Sequence, residues 1–541
     1  MLTLGGLTPE SWVVFFITLT VIAISGHVIY NAFLHPLAKV PGPFFARVSG
    51  FPSWYHAMRG RRHIWLWQQF SIYGPRVRIT PNTVVFRDPT AFRDIYNNKA
   101  NVQKGPFYEA WQKDEHDVNT FNTRNKKAHT LRRKMLNQSF TEKSLRASES
   151  FMIKHIDRWN ELFVPESGAS DAEGWGEVMN FADISDHFVF DVMGDLCFGA
   201  SFNIKEPGDN PFRSIPHAIV QYMQFFYPLT RSPMLELVLW LKPRGLDKLF
   251  KIITPPNIKE YIEFVNSCVA KRLAMYHEQK TLDESDQRQD MFWFLCDAKD
   301  ETGTKPAYNK SELHAEANML IIAGTDTTST TLAGFMFYIT RNPGPYKKLV
   351  QEIRSTFASP EDIVHGPELT SCVYLRACID ESMRLSPSGP SELPRQILAG
   401  GATIMGDYYP EGTVVGAPYW ASGHNEDFYG DSEVFRPERW IPDGEDNTVE
   451  QVNTLRANFH PFAQGPGSCP GKNFAIMELC LAIARTFHRF DVKRPEGDKG
   501  NTGEGDPAGE WGMRNKRIFQ LGDAYISVRE GPMVQFRKRS A

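Results

Sequence analysis

Residues 309 to 341 set the tightest limit on what this 541-residue chain can fold into. Asn309 with Glu312 three residues on has the form of a capping box, in which side chains and backbone amides at a helix start satisfy one another. Asn342-Pro343 supplies a stop. Between Met319 and Ile339 the only formal charge is Asp326, so the pattern predicts one long helix with almost no polar face. A helix of that kind either crosses a bilayer or lies inside a protein. The centre of this one, Thr325-Asp326-Thr327-Thr328-Ser329-Thr330-Thr331, is far too polar to face lipid. It must be buried in protein, in a fold large enough to surround it. A carboxylate in such a place is costly unless paired or put to use, and Gly324 just before it weakens the helix.

Composition allows such a core: 42% of residues are hydrophobic. The formal charge of −3 suggests no nucleic-acid partner. Cys197, Cys268, Cys296, Cys372, Cys378, Cys469 and Cys480 form an odd set without a CxxC pair, which argues against a disulfide framework or zinc site and for a reducing compartment.

A second apolar run, Ser11 to Tyr30, holds no Asp, Glu, Lys or Arg. Twenty helical residues span roughly 30 Å, the thickness of a bilayer core. No basic residue precedes the run, and it is long for a cleaved signal peptide. Trp12 and Tyr30 stand at its two ends, and Lys39 and Arg47 follow it, so the positive-inside rule puts the bulk of the chain in the cytosol. His35-Pro36-Leu37-Ala38-Lys39-Val40-Pro41-Gly42-Pro43 then reads as a stiff, non-helical connector.

Near the far end, Phe462-Ala463-Gln464-Gly465-Pro466-Gly467-Ser468-Cys469-Pro470-Gly471 places one cysteine in a loop whose backbone can approach a flat ligand closely. The segment after it, through Phe487, has helical apolar spacing. The sulfur therefore precedes a helix N-terminus, where free N–H groups favour a thiolate. By itself such a sulfur is a nucleophile, a metal ligand or a buried thiol. Its spacing narrows the choice: Phe462, Gly465, Cys469 and Gly471 resemble the haem-ligand loop of the cytochrome P-450 monooxygenases.

Other stretches match that family in chain order. Ala323-Gly324-Thr325-Asp326-Thr327-Thr328 resembles its oxygen-binding signature. By resemblance, Gly324 leaves room for dioxygen, the Thr327 hydroxyl bonds the oxygen being reduced, and Asp326 relays protons. From Arg124 to Lys134 six of eleven residues are basic. His129 and Arg133, four apart and so on one helix face, match the pattern whose members bond a haem propionate. The remaining cations there suit docking of an acidic electron donor. Arg395 fits a second propionate partner. Gly467 stands where the family has Arg or His, so one cation is missing from the set. Glu381 with Arg384, and Arg439 within Phe435-Arg436-Pro437-Glu438-Arg439-Trp440, match a buried charge triad with a structural role.

The resemblance implies a mainly helical cytochrome P-450 fold with small β-sheets, preceded by one transmembrane helix. The expected division is an anchor over 1–34 (helix about 11–30), a hinge over 35–43 and a catalytic domain over 44–541. Arg76 to Phe86 reads as β-like, part of a small sheet near the membrane. Phe107, Tyr108, Trp111 and Phe121 lie in a polar, loop-like stretch that would roof the substrate pocket. Asp186 to Phe202 reads as a buried helix with a glycine stop. Phe212 to Pro256 is either core or a pair of helices that dip into the bilayer, and 278–306 reads as an exposed connection.

Carried through to function, the resemblance implies a membrane-anchored haem-thiolate monooxygenase with Cys469 as axial iron ligand and haem b as cofactor. It would insert one oxygen atom from O2 into a lipophilic small molecule. NADPH would act through NADPH-cytochrome P-450 reductase, with cytochrome b5 as a further donor. The implied location is the endoplasmic reticulum membrane, single-pass, with the catalytic domain facing the cytosol. The hinge wording is most like fungal secondary-metabolite members. Two other readings stay open at this point: a reductase-independent haem-thiolate isomerase or dehydratase, and a non-catalytic haem- or lipid-binding membrane protein.

Overall fold

The expected long helix forms over Lys310–Arg341, and both halves of the Asn309–Glu312 capping box are made. The computed structural model describes residues 9–113, 116–164, 173–283, 287–300, 302–444 and 447–539. Within it this helix is the axis. Thr325 to Thr331 lie in its buried middle, apart from Thr327, which is partly open to a cavity. The buried helix read from Asp186 to Phe202 runs over Phe181–Phe198 and stops at Gly199 with φ +74°, a left-handed cap that glycine adopts without strain. It packs along the long helix at Gly324. A Cβ there would lie 2.5 Å from Met193 Sδ, so the glycine admits the methionine. The room that the sequence reading reserved for dioxygen is taken, on this side, by a thioether.

Helices Val373–Leu385 and Lys472–Arg489 close the core from other sides; the first carries Glu381 and Arg384 of the triad, Arg439 comes from the turn Pro437–Trp440, and the cysteine loop leads into the second. The architecture is mainly helical with small sheets. The largest sheet has five strands in the order Arg76–Thr80, Thr83–Phe86, Val414–Gly416, Arg395–Ile397 and Val102–Lys104. The β-like run at 76–86 is therefore a hairpin. The third strand pairs with the second in parallel, and Arg395 faces Lys104 directly across the last antiparallel pair.

The apolar helix expected near the start spans Pro9–Ile29 and continues through a π-helical turn, Tyr30–Leu34. Glu10–Leu34 is long and apolar enough to cross a membrane, and none of its most apolar stretch is buried against protein. The connector behind it is not a free spacer. Arg78 N–H donates to the Pro41 carbonyl (2.7 Å), and a Cβ on Gly42 would lie 2.3 Å from the Arg78 carbonyl oxygen. The buried Arg78 guanidinium donates to the Asn31 carbonyl (2.8 Å), while Arg47 donates to those of Ala32 (2.6 Å) and Ala38 (2.8 Å).

Three expectations change. Phe107, Tyr108 and Trp111 sit in or at the end of a short helix, Pro106–Ala110, and are buried rather than loop-borne. The stretch at 278–306, of which 284–286 and 301 lie outside the described residues, contains a helix, Met291–Asp297. Its Met291, Phe292, Trp293 and Leu295 are core, so the stretch is not simply an exposed connection. Phe212 to Pro256 forms three helices that divide the two readings. Ile219, Met223 and Tyr227 are buried, whereas Met234, Trp240, Ile252 and Ile253 face outward.

Candidate active site

A largely apolar cavity of about 390 Å³ lies between the long helix and the cysteine loop. Ala323, Gly324, Thr327 and Thr328 form part of one wall; Phe462, Gly467, Ser468, Cys469 and Gly471 form part of another. Two motifs far apart in sequence thus line one space.

The loop is held by its own backbone. Cys469 N–H donates to the Phe462 carbonyl (2.8 Å), and Ser468 N–H to that of Gly465 (3.0 Å). Gly465 has φ +64°, and a Cβ on it would meet the Tyr96 carbonyl oxygen at 2.0 Å, so both torsion and space demand glycine. Gly471 caps the following helix at φ −79°, where a Cβ would touch Cys469 Sγ at an ordinary 3.8 Å; its part is to border the sulfur. Burial pushes the Cys469 thiol above its ordinary 9.0, against the Gly471 and Lys472 amides and the Arg133 charge. The amides at the helix start thus favour the thiolate while burial opposes it, and a metal bound at the sulfur would displace the proton.

His129 and Arg133 lie on the helix Lys126–Leu136, and both line the cavity. Arg133 donates to the Ser468 carbonyl and to Asn137 Oδ1 (2.8 Å), joining helix to loop. Burial, with the charges of Lys104, Arg395 and Arg133, lowers the His129 pKa to about 3. His129 is therefore neutral and can act as a hydrogen-bond donor. Arg395 is buried, donates to the Tyr108 hydroxyl (3.0 Å) and stacks over Tyr96 and Tyr108.

On the other wall Thr327 Oγ1 donates to the Ala323 carbonyl (2.8 Å). Asp326 points elsewhere: its carboxylate accepts from Arg529 Nη1 (3.0 Å), and the same guanidinium reaches Asp186 and Ser329. The buried carboxylate is thus paired, as its setting requires. Burial still holds its pKa up at about 6 against the Arg529 charge. Glu478, on the helix after the cysteine, also lines the cavity; burial raises it to about 8, opposed by a bond from Thr328.

Glu381, Arg384 and Arg439 come together away from solvent: Arg384 donates twice to Glu381 (2.9 and 2.8 Å) and Arg439 once (2.9 Å). Sequence reasoning did not single out Lys104, Arg529 or Glu478. Arg529 and Lys104 act across the fold and leave no local signal. Glu478 has a faint one, a carboxylate within an otherwise apolar helical stretch.

The residues fit a haem. Among the described residues no group of three or more His, Cys, Asp or Glu side chains could hold a metal, so a metal here would have Cys469 as ligand and a ring for the rest. The apolar walls, with Leu136, Phe140 and Leu393, suit a flat macrocycle, and Lys104, Arg133 and Arg395 put basic side chains beside it that suit its carboxylates.

Comparison with known proteins agrees. The family model described as Cytochrome P450 matches residues 41–518. The chain is 33% identical over 542 residues to the cytochrome P450 monooxygenase fscF of Fusarium equiseti, covering 98% of this chain and 97% of that protein. It is 33% identical over 553 residues to the cytochrome P450 monooxygenase apf7 of Gibberella fujikuroi, with 99% of each chain covered. A cytochrome P450 monooxygenase of Gibberella zeae is 37% identical over 451 residues, 82% of this chain and 97% of that one. A family match over most of its length, joined to a cysteine loop facing an Asp-Thr helix across one cavity, shows that this chain belongs to the cytochrome P450 family, as one of its monooxygenases.

Proposed function

We propose that the protein is a membrane-anchored monooxygenase that uses haem b, draws electrons from NADPH through NADPH-cytochrome P-450 reductase, and oxidises a lipophilic small molecule. The observation that carries this reading is the placing of Cys469 and Thr327 on the walls of one largely apolar cavity. When bound, the haem supplies the iron at which dioxygen is activated. The chain's own part is to hold the ring and manage protons. Cys469 ligates the iron, with Phe462, Gly465 and Gly471 shaping its loop, and Arg133, Arg395 and His129 bond the propionates. The Thr327 hydroxyl, on turning from the Ala323 carbonyl, presents a proton at the cavity wall, and Asp326 resupplies it once its carboxyl leaves Arg529. Phe107, Trp111 and Phe121 pack on Tyr525, with Tyr108 against Phe107 and Phe121, as an aromatic roof that suits an apolar substrate.

The division into anchor (1–34), hinge (35–43) and catalytic domain (44–541) belongs to the same reading. Exposed Phe44, Phe45, Met234, Trp240 and Ile252 support contact between the domain and the bilayer, and Lys39 and Arg47 support a cytosolic domain on the endoplasmic reticulum. The fungal relatives support a place in secondary metabolism.

The test is coupling. In Thr327→Ala, haem binding and NADPH consumption should persist while product formed per NADPH falls by about tenfold or more, the electrons appearing as peroxide. Fully coupled turnover would refute the role of Thr327. Turnover that ran without NADPH and reductase would replace a monooxygenase with an isomerase or dehydratase.

A further inference from the structure

Lys104 and Arg395 stand directly opposite each other on neighbouring antiparallel strands. Like charges so placed repel. Both line the cavity, as do His129 and Arg133. Among the described residues none of the four forms an ion pair. The Lys104 ammonium donates to the carbonyls of Thr120 and Phe121 (2.7 Å each), and Arg395 to the Tyr108 hydroxyl and the carbonyls of Leu393 and Pro394. Glu316 is an acid whose field reaches Lys104, but its Oε1 accepts from Thr120 N and Oγ1 (2.7 Å each). Burial and the charges of Arg395 and Arg133 hold the Lys104 ammonium well below its ordinary range. Sequestered like charges persist where a partner of opposite sign completes them. Here the protein offers neutral oxygens, and the cavity offers space for an anion.

Gly467 bears on the same point. A Cβ at 467 would lie 2.6 Å from Arg395 Nη2, so the guanidinium fills the volume that a side chain would take. Glycine in the loop and arginine on the strand are a matched pair.

We propose that Lys104 and Arg395, the latter seated over Gly467, together grip a carboxylate of the haem, with Lys104 replacing the cation that the cysteine loop lacks. This rests on the haem-thiolate reading above. It assigns Lys104 as a cofactor-binding residue and makes Gly467 a condition for Arg395 rather than a deficiency.

The experiment measures haem transfer from the holoenzyme to excess apomyoglobin, together with the reduction potential. Lys104→Met should release haem about tenfold faster, the loss expected for one charge-assisted hydrogen bond, and should lower the potential because a cation leaves the cofactor. Lys104→Arg should restore both. Gly467→Arg alone should speed release by displacing Arg395, whereas in an Arg395→Ala background the same change should slow it. Release from Lys104→Met at the parental rate, with the parent showing the thiolate-type carbon monoxide spectrum, overturns the proposal and spares the haem-thiolate reading. Absence of that spectrum in the parent overturns both. Slower release from Gly467→Arg in the otherwise unchanged protein refutes the pairing with Arg395.

Discussion

Cys469→Ala should give a folded protein with no thiolate-type spectrum on reduction with carbon monoxide and no monooxygenation. The change removes one sulfur and little else. The Cys469 amide keeps its bond to the Phe462 carbonyl, and the turn over Gly465–Gly467 is independent of the side chain. On the proposed haem-thiolate reading, what goes is the electron-rich ligand that would favour O–O cleavage. His129 and His460 also line the cavity, so residual haem pigment with an imidazole-type spectrum is compatible with the assignment. Retained activity would end the ligand role.

The second large effect is on stability. Glu381 accepts from Arg384, Arg439, the Trp440 indole (3.0 Å) and the Arg436 amide (3.0 Å), all in the protein interior. Arg384 also donates to the carbonyls of Gly423 (2.6 Å) and Ser432 (2.7 Å), so one residue ties the helix Val373–Leu385 to the helix Tyr419–Gly423 and to the turn at Ser432. Glu381→Ala strands two buried guanidinium groups, at a cost of roughly 3–5 kcal/mol. Chemical denaturation should report that loss, and an unchanged midpoint would remove the triad from the stability argument. The pH dependence has a definite sign. Burial alone would raise Glu381, but the Arg384 charge and bonds, with Arg439, hold it down at about 2, below its ordinary 4.5. Its stabilisation is therefore complete above pH 4.5 and lost as pH falls towards 2. Glu381→Gln should flatten that acid limb.

What was legible in the sequence was what local spacing encodes. The limits of the central helix follow from Asn309, Glu312 and Pro343, the end of its neighbour from Gly199, and the tight loop before the last long helix from Gly465 and Cys469. What escaped was set by distance or by burial. Lys104 ends a three-residue strand whose partner, Arg395, lies far along the chain, so no periodicity joins them. Arg529 reaches Asp326 from beyond the hairpin of Gly522–Ala524 and Ile526–Val528, and nothing near Asp326 announces it. The setting of Cys469 divides in the same way: the favourable helix start is written locally, while the surrounding walls that oppose it are visible only in the fold. Helix Met291–Asp297 was hidden because its four core residues are flanked by charge.

The stitching of the hinge onto the first strand decides where the polypeptide can be cut. A soluble form beginning at residue 44, the sequence-based border, would strip Arg78 of the Asn31 and Pro41 carbonyls and Arg47 of those of Ala32 and Ala38. A form beginning at residue 31 would keep every one of those acceptors, losing the exposed apolar helix together with the His27 contact to the Val48 carbonyl and the Tyr30 carbonyl that accepts from His35 N–H. The shorter protein should melt earlier and aggregate, and the longer one should purify from the cytosolic fraction with haem in place. The trimming point for solubility therefore lies before the prolines, not after them.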